Sequence, residues 1–263
     1  MTFLHFLVLH IHALLLGFII VAVYVGVSIL GLLLIRKYYS YDRRKLHNDI
    51  AGFIFATLGV IYAVILAFTV VVTWGDYDKA NNLTIHEANA LASLAEDARV
   101  FPPEVSGRIK EDLTAYLNAI IQEEWRMMVR GKESVQAEQS QERLWTTYAS
   151  YHPANETQKI FLAVSVNKLN NAGELRRQRI HTAAYGLHPI LYSILIIGSI
   201  ITIAYTMLFG TENFTEQLLM TACLAAMIAL TLFTVIILDY PFSGSYGISS
   251  KTFQFILPKL VGP

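Results

Sequence analysis

The residues with most chemistry to offer share one stripe of one apolar segment. Phe55, Tyr62, Leu66, Thr69, Thr73 and Asp76 recur at spacings of seven, four, three, four and three, which on a helix of 3.6 residues per turn is a single face. The stripe is apolar at one end and carries hydroxyls and an acid at the other. Around an axis shared by several copies, Phe55, Tyr62 and Leu66 would form a constriction that gates by dewetting. Thr69 and Thr73 would solvate ions, and Asp76 would form a ring at the mouth, where acids favour cations. The ordinary alternative is that both threonines bond their own helix. A second ridge, Gly52, Ala56, Gly59, Ala63 and Ala67, is made of small residues that let helices approach closely in lipid.

Asp239 stands at the end of the last apolar segment, followed at once by Pro241-Phe242 after Tyr240. A carboxylate at such a boundary needs water or a basic partner. Arg176 and Arg179 are the expected partners, forming a structural ion pair with Asp239. Glu87, Glu124 and Trp125 are expected on a solvated face, since the adjacent Glu123 and Glu124 point in different directions on a helix. Pairing of Glu87 or Glu124 with an arginine inside a bundle is the other reading. His5, His10 and His12 do not share a helix face at ligand spacing, so no metal site is expected. There is no P-loop, Gly-x-Ser-x-Gly, His-Glu-x-x-His or dinucleotide fingerprint, so neither an enzyme nor a cofactor is expected. The charges balance, 20 basic against 20 acidic, which gives nucleic acid no concentrated basic face to bind.

What must carry these residues is a membrane framework. The chain of 263 residues is 54% apolar and 15% charged, too apolar for water to solvate throughout. Four runs are long enough to cross about 30 Å of hydrocarbon: about 13–35, 50–74, 189–209 and 218–238. The fold expected is all-α, an integral membrane protein with four transmembrane helices and an inserted helical soluble domain. Residues 1–75 form an N-terminal hairpin and 76–188 the soluble domain; 189–240 form a second hairpin and 241–263 a tail. In the inserted domain, Val105, Ile109, Leu113, Tyr116, Leu117 and Ile120 follow the helical period. Pro102-Pro103, Gly131 and His152-Pro153 punctuate it. The loop after the first span holds Arg36, Lys37, Arg43, Arg44 and Lys45 with interfacial tyrosines. On the positive-inside rule this loop is cytoplasmic, with the termini and soluble domain outside.

Dispersed motifs add a family likeness. His47-Asn48-Asp49-Ile50-Ala51-Gly52-Phe53 leads into Gly59-Val60-Ile61-Tyr62-Ala63-Val64, Ala67-Phe68 and Trp74. Glu87-Ala88, Glu124-Trp125, Arg176-Arg177-Gln178-Arg179 and Leu238-Asp239-Tyr240-Pro241-Phe242-Ser243-Gly244 follow in order. Over about residues 45–255 the chain resembles the bestrophin-like family of bacterial and plant membrane proteins. The resemblance implies distant kinship with bestrophins, pentameric anion channels lined by their second span. It implies a cytoplasmic soluble domain, opposite to the charge rule, and anions, opposite to an acidic ring. No acidic run follows Pro241-Phe242-Ser243-Gly244, so a calcium clasp does not carry over. The function expected is a homo-oligomeric ion channel, with five copies by ancestry, in a cell (inner) membrane. Its partners are the lipid bilayer, further copies of itself and inorganic ions. The alternative is a membrane-anchored sensor or scaffold whose helical domain binds a ligand or partner.

Overall fold

The computed structural model describes residues 3–39, 44–45 and 48–261. Arg43 and His47, quoted above, lie outside the described residues. Nine principal helices are found among the described residues. They are α1 (Phe3–His10), α2 (Ala13–Tyr38), α3 (Asn48–Asp97), α4 (Pro103–Ala119), α5 (Val135–Ser150), α6 (Glu156–Ala184), α7 (Pro189–Thr206), α8 (Phe214–Leu238) and α9 (Lys251–Val261). A π turn, Ile120–Glu124, and a last turn, Trp125–Met128, continue α4. Four helices are long and apolar enough to cross a membrane.

Local chemistry sets the boundaries. Pro103 and Pro189 open α4 and α7, where a missing N–H costs nothing. Ser134, Asn155 and Asn213 cap α5, α6 and α8 by accepting from Ala137, Gln158 and Thr215 N–H. Gln158 Oε1 in turn accepts from Ala154 N–H and Tyr151 Oη. Gly131, at φ 68°, takes the left-handed conformation that ends the last turn. The Asn48 side chain, at the start of α3, exchanges two hydrogen bonds with the backbone of Gly210.

Residue pairs fix the directions. Gly17 meets Phe233 and Arg36 meets Phe214, so α2 and α8 are antiparallel. Phe55 meets Phe209 and Tyr62 meets Leu195, so α3 and α7 are antiparallel. Asp97 meets Lys168 and Glu87 meets Arg179, so α3 and α6 are antiparallel too. The membrane bundle is therefore α2, α7, α8 and the first half of α3. Its outer faces leave Leu15, Phe18, Val27 and Leu30 of α2 exposed, as lipid requires and water would not. The soluble bundle is the second half of α3 with α4, α5 and α6, closed by Phe253 and Ile256 of α9. The second span and the first domain helix are one helix of 50 residues. His5 stacks on Tyr240 and Tyr77 Oη donates to Tyr246 O, which brings both ends of the chain to the soluble-domain side.

Candidate functional site: the two faces of the long helix

The stripe expected to line a pore is instead the face by which α3 packs on its own chain. Tyr62, Leu66, Thr69 and Thr73 are 6%, 8%, 6% and 1% exposed. Tyr62 Oη donates to Leu195 O at 3.1 Å. Its ring lies against Gly198, where an added Cβ would sit 2.5 Å from Tyr62 Cδ2. Thr69 and Thr73 donate to Ile65 O at 2.9 Å and Thr69 O at 3.0 Å, satisfying hydroxyls that lipid would leave stranded. Phe55 stacks on Tyr205 and meets the edge of Phe209. The physical reason for the correction is size. The aromatic side chains Phe55 and Tyr62 reach across to α7 and the link after it, and Gly198 makes room for the larger. Asp76 is exposed, within charge range of Asp239.

The small-residue ridge is not used inside the chain. Ala56, Ala63 and Ala67 are exposed, Gly59 has open space around it, and Gly52 approaches only Phe209. Close helix approach within the chain falls to Gly17, Gly31 and Gly198. Opposite the packed face, α3 is bare. Val60, Val64 and Val71 are 64%, 48% and 67% exposed. The same face continues beyond the membrane as exposed Asp78, Asn82, His86 and Asn89. An all-apolar span gives this face no sequence signal. Gly198 on α7, which leaves room for the Tyr62 ring, is the cue that marks its opposite.

Asp239 does not pair with Arg176 or Arg179. Its Oδ2 accepts from Tyr192 Oη at 2.8 Å, and its Oδ1 accepts from Leu187 N–H. Gly186 leaves the space the carboxylate occupies. Asp239 thus ties the end of α8 to the link between α6 and α7. The arginines are claimed elsewhere, by carboxylates whose burial leaves them no water.

Arg179 is fully buried. Its Nε and Nη2 donate to Glu87 at 2.6 and 3.0 Å, and Nη2 also donates to Glu124 at 2.8 Å. Arg176 donates to Glu124 through Nε at 2.9 Å and through Nη2, and to Gln141 through Nη1 at 3.1 Å. Trp125 and Phe253 rings flank the Arg179 guanidinium. The solvated face expected for Glu87 and Glu124 is overturned: both are 0% exposed. Trp125 is half-buried, its indole N–H donating to Ile248 O. A cue was present, since Glu87 falls in the apolar stripe of Leu83, Leu91 and Leu94, at helical spacing.

Burial pushes the Glu87 carboxyl up, by more than Arg179 draws it down. Burial acts on Glu124 as well, but Arg179 and Arg176 overcome it and hold that carboxyl below its ordinary range. Burial opposes the Arg179 charge, yet Glu87 and Glu124 push its pKa up. The two acids therefore act on stability with opposite sign. Ionised Glu124 stabilises the fold above the unfolded value of about 4.3 and loses this as pH falls through its lower folded value. Ionised Glu87 is a cost that protonation relieves. Glu124→Gln should thus cost about 3 kcal/mol and Glu87→Gln about 1 kcal/mol. Unfolding midpoints of the two variants check the order; equal losses would count against it.

Four apolar helices, paired antiparallel as α2 with α8 and α3 with α7, with α3 prolonged into a helical bundle, define a multi-pass all-α membrane protein. The chain belongs to the bestrophin-like family: the family model described as Bestrophin-like domain matches residues 22–253. Among solved structures, a mutant of a bacterial bestrophin homologue from Klebsiella pneumoniae superposes with a TM-score of 0.74 at 16% identity, covering 92% of this chain and 99% of that one. The same homologue solved by zinc phasing gives 0.72 at 16% identity, covering 90% and 96%. A further mutant gives 0.67 at 14% identity, covering 94% and 99%. At these identities the likeness is one of fold. No curated protein matches the sequence.

Proposed function

We propose that the chain forms a homo-oligomeric ion channel whose path is lined by the bare face of α3, from Val60 through Val64 and Val71 to Asp78 and Asn82. Membership of the bestrophin-like family supports a channel. The observation that carries the lining is the bare face itself. It is apolar within the bilayer, polar beyond it, and opposite everything the chain packs on that helix. Valines repeated around an axis make a constriction that water enters reluctantly. The ridge of Gly52, Ala56, Gly59, Ala63 and Ala67 lies about 90° round the helix from this face. It is where a neighbouring copy approaches closely.

Thiol accessibility tests the reading. In purified protein carrying Cys223→Ser and reconstituted in vesicles, Val64→Cys should lose ion flux when a charged thiol reagent is added. Thr69→Cys should be insensitive, because its side chain points into the protomer. Block at Thr69→Cys with none at Val64→Cys would reverse the assignment, and absence of flux from the native protein would remove it.

A further inference from the structure

At the end of the membrane bundle away from the soluble domain, Arg36 and Arg44 bond backbone carbonyls and no carboxylate among the described residues. Three side chains converge there on the backbone of the loop between α7 and α8. Arg36 Nη2 donates to Thr211 O at 3.1 Å. Arg44 Nη1 donates to Phe209 O at 3.2 Å and Met207 O at 3.4 Å. Gln217 Nε2 donates to the same Phe209 O at 2.7 Å. Each keeps a second, buried polar atom with nothing to bond: Arg36 Nη1, Arg44 Nε and Gln217 Oε1. These are three of the five such side-chain atoms among the described residues, and buried polar atoms are rarely left so. Arg44 is 8% exposed and Gln217 2%.

Neither arginine bonds a carboxylate among the described residues; the nearby Glu212 pairs with Lys45 at 3.2 Å. Burial, and then the charge of Arg36, push the Arg44 pKa down. Beside them opens a groove of about 400 Å³. The arginines adjoin it rather than line it: Phe209, Thr211 and Gln217, the residues they bond or meet at shared carbonyls, form its polar end, and Phe55, Met220, Thr221 and Leu224 run on from there toward the membrane interior. Exposed Tyr38 and Tyr39 mark this level as the bilayer boundary. The site is polar and cationic where headgroups lie and apolar where acyl chains lie.

We infer that this end of the bundle binds an anionic phospholipid, with its phosphate against Arg36 and Arg44 and an acyl chain in the groove toward Leu224. Basic pockets between membrane helices suit phosphate headgroups. Guanidinium N–H groups match phosphate oxygens in geometry as well as charge. Gln217 Oε1 accepts from a headgroup hydroxyl, such as those of phosphatidylglycerol. The inference is independent of ion conduction, and its test needs no flux.

The test titrates the purified full chain in detergent with phosphatidylglycerol, phosphatidylcholine or inorganic phosphate, reading the unfolding midpoint. Phosphatidylglycerol should stabilise at lower concentration than phosphatidylcholine. Arg36→Gln and Arg44→Gln should each weaken that preference about fivefold, leaving the response to phosphatidylcholine unchanged. Should Arg44→Gln fail to fold, half-exposed Arg36→Gln still reads the site. Equal stabilisation of the native protein by both lipids would overturn the inference. So would a native preference retained by folded arginine variants, and so would inorganic phosphate matching the lipid, since the groove would then contribute nothing.

Discussion

Arg179→Met should destabilise the soluble bundle by about 3–5 kcal/mol, the expected loss when one member of a buried ion network is removed. The guanidinium serves Glu87 twice and Glu124 once, with its remaining nitrogen 2.9 Å from Met128 Sδ. Methionine fills much of the volume and accepts the Trp125 and Phe253 rings, so packing changes little. What changes is that Glu87 is left buried with no cation bonded to it, while Glu124 keeps Arg176. The unfolding midpoint in detergent, followed by tryptophan fluorescence, measures the loss. Adding Glu87→Gln to Arg179→Met should restore much of it, because the stranded charge is then gone. A double variant as unstable as the sum of the singles would mean the two side chains act independently. Arg179→Lys should rescue poorly, since an ammonium cannot serve both acids in the planar geometry used here.

Val64→Ser should raise resting ion flux through reconstituted protein about tenfold, which asks only about 1.4 kcal/mol of the barrier. Each copy around the axis carries the substitution, so one change removes a whole ring of apolar surface and puts hydroxyls in its place. Dewetting depends on that ring as a unit. Tyr62→Phe is the paired control. Tyr62 is 6% exposed and bonded to Leu195 O, so its change should cost about 1 kcal/mol of stability and leave flux alone. Unitary current and vesicle flux read both. Flux that follows Tyr62 and ignores Val64 would return the path to the packed face.

The membrane framework was legible because lipid imposes length and apolarity on each span, and because a link as short as residues 207–213 makes α7 and α8 antiparallel. Orientation of α3 about its own axis was not legible. Every face of residues 50–74 is apolar, so period carries little information there. The few hydroxyls were the sole contrast, and they mark hydrogen bonds back to the helix rather than contact with water. The cue lay on another helix, in the glycine at 198 that admits the Tyr62 ring. In the soluble bundle the apolar period was readable, but the acid at 87 and the arginines at 176 and 179 sit within that period. Charges on the dry side of an amphipathic helix signal one another across the core. Asp239 resembled a partner for those arginines only because the hairpin brings it to the same side. Tyr192 and the Leu187 amide reach it first.

The unbroken run of α3 has a mechanical consequence. At 50 residues it is a rod of about 75 Å, so a tilt of about 5° about its middle moves each end by about 3 Å in opposite directions. Whatever displaces the soluble bundle thereby tilts the bilayer-embedded half, because one continuous helix carries both. A force sensed at one extremity arrives at the other as displacement, with no flexible joint between to absorb it.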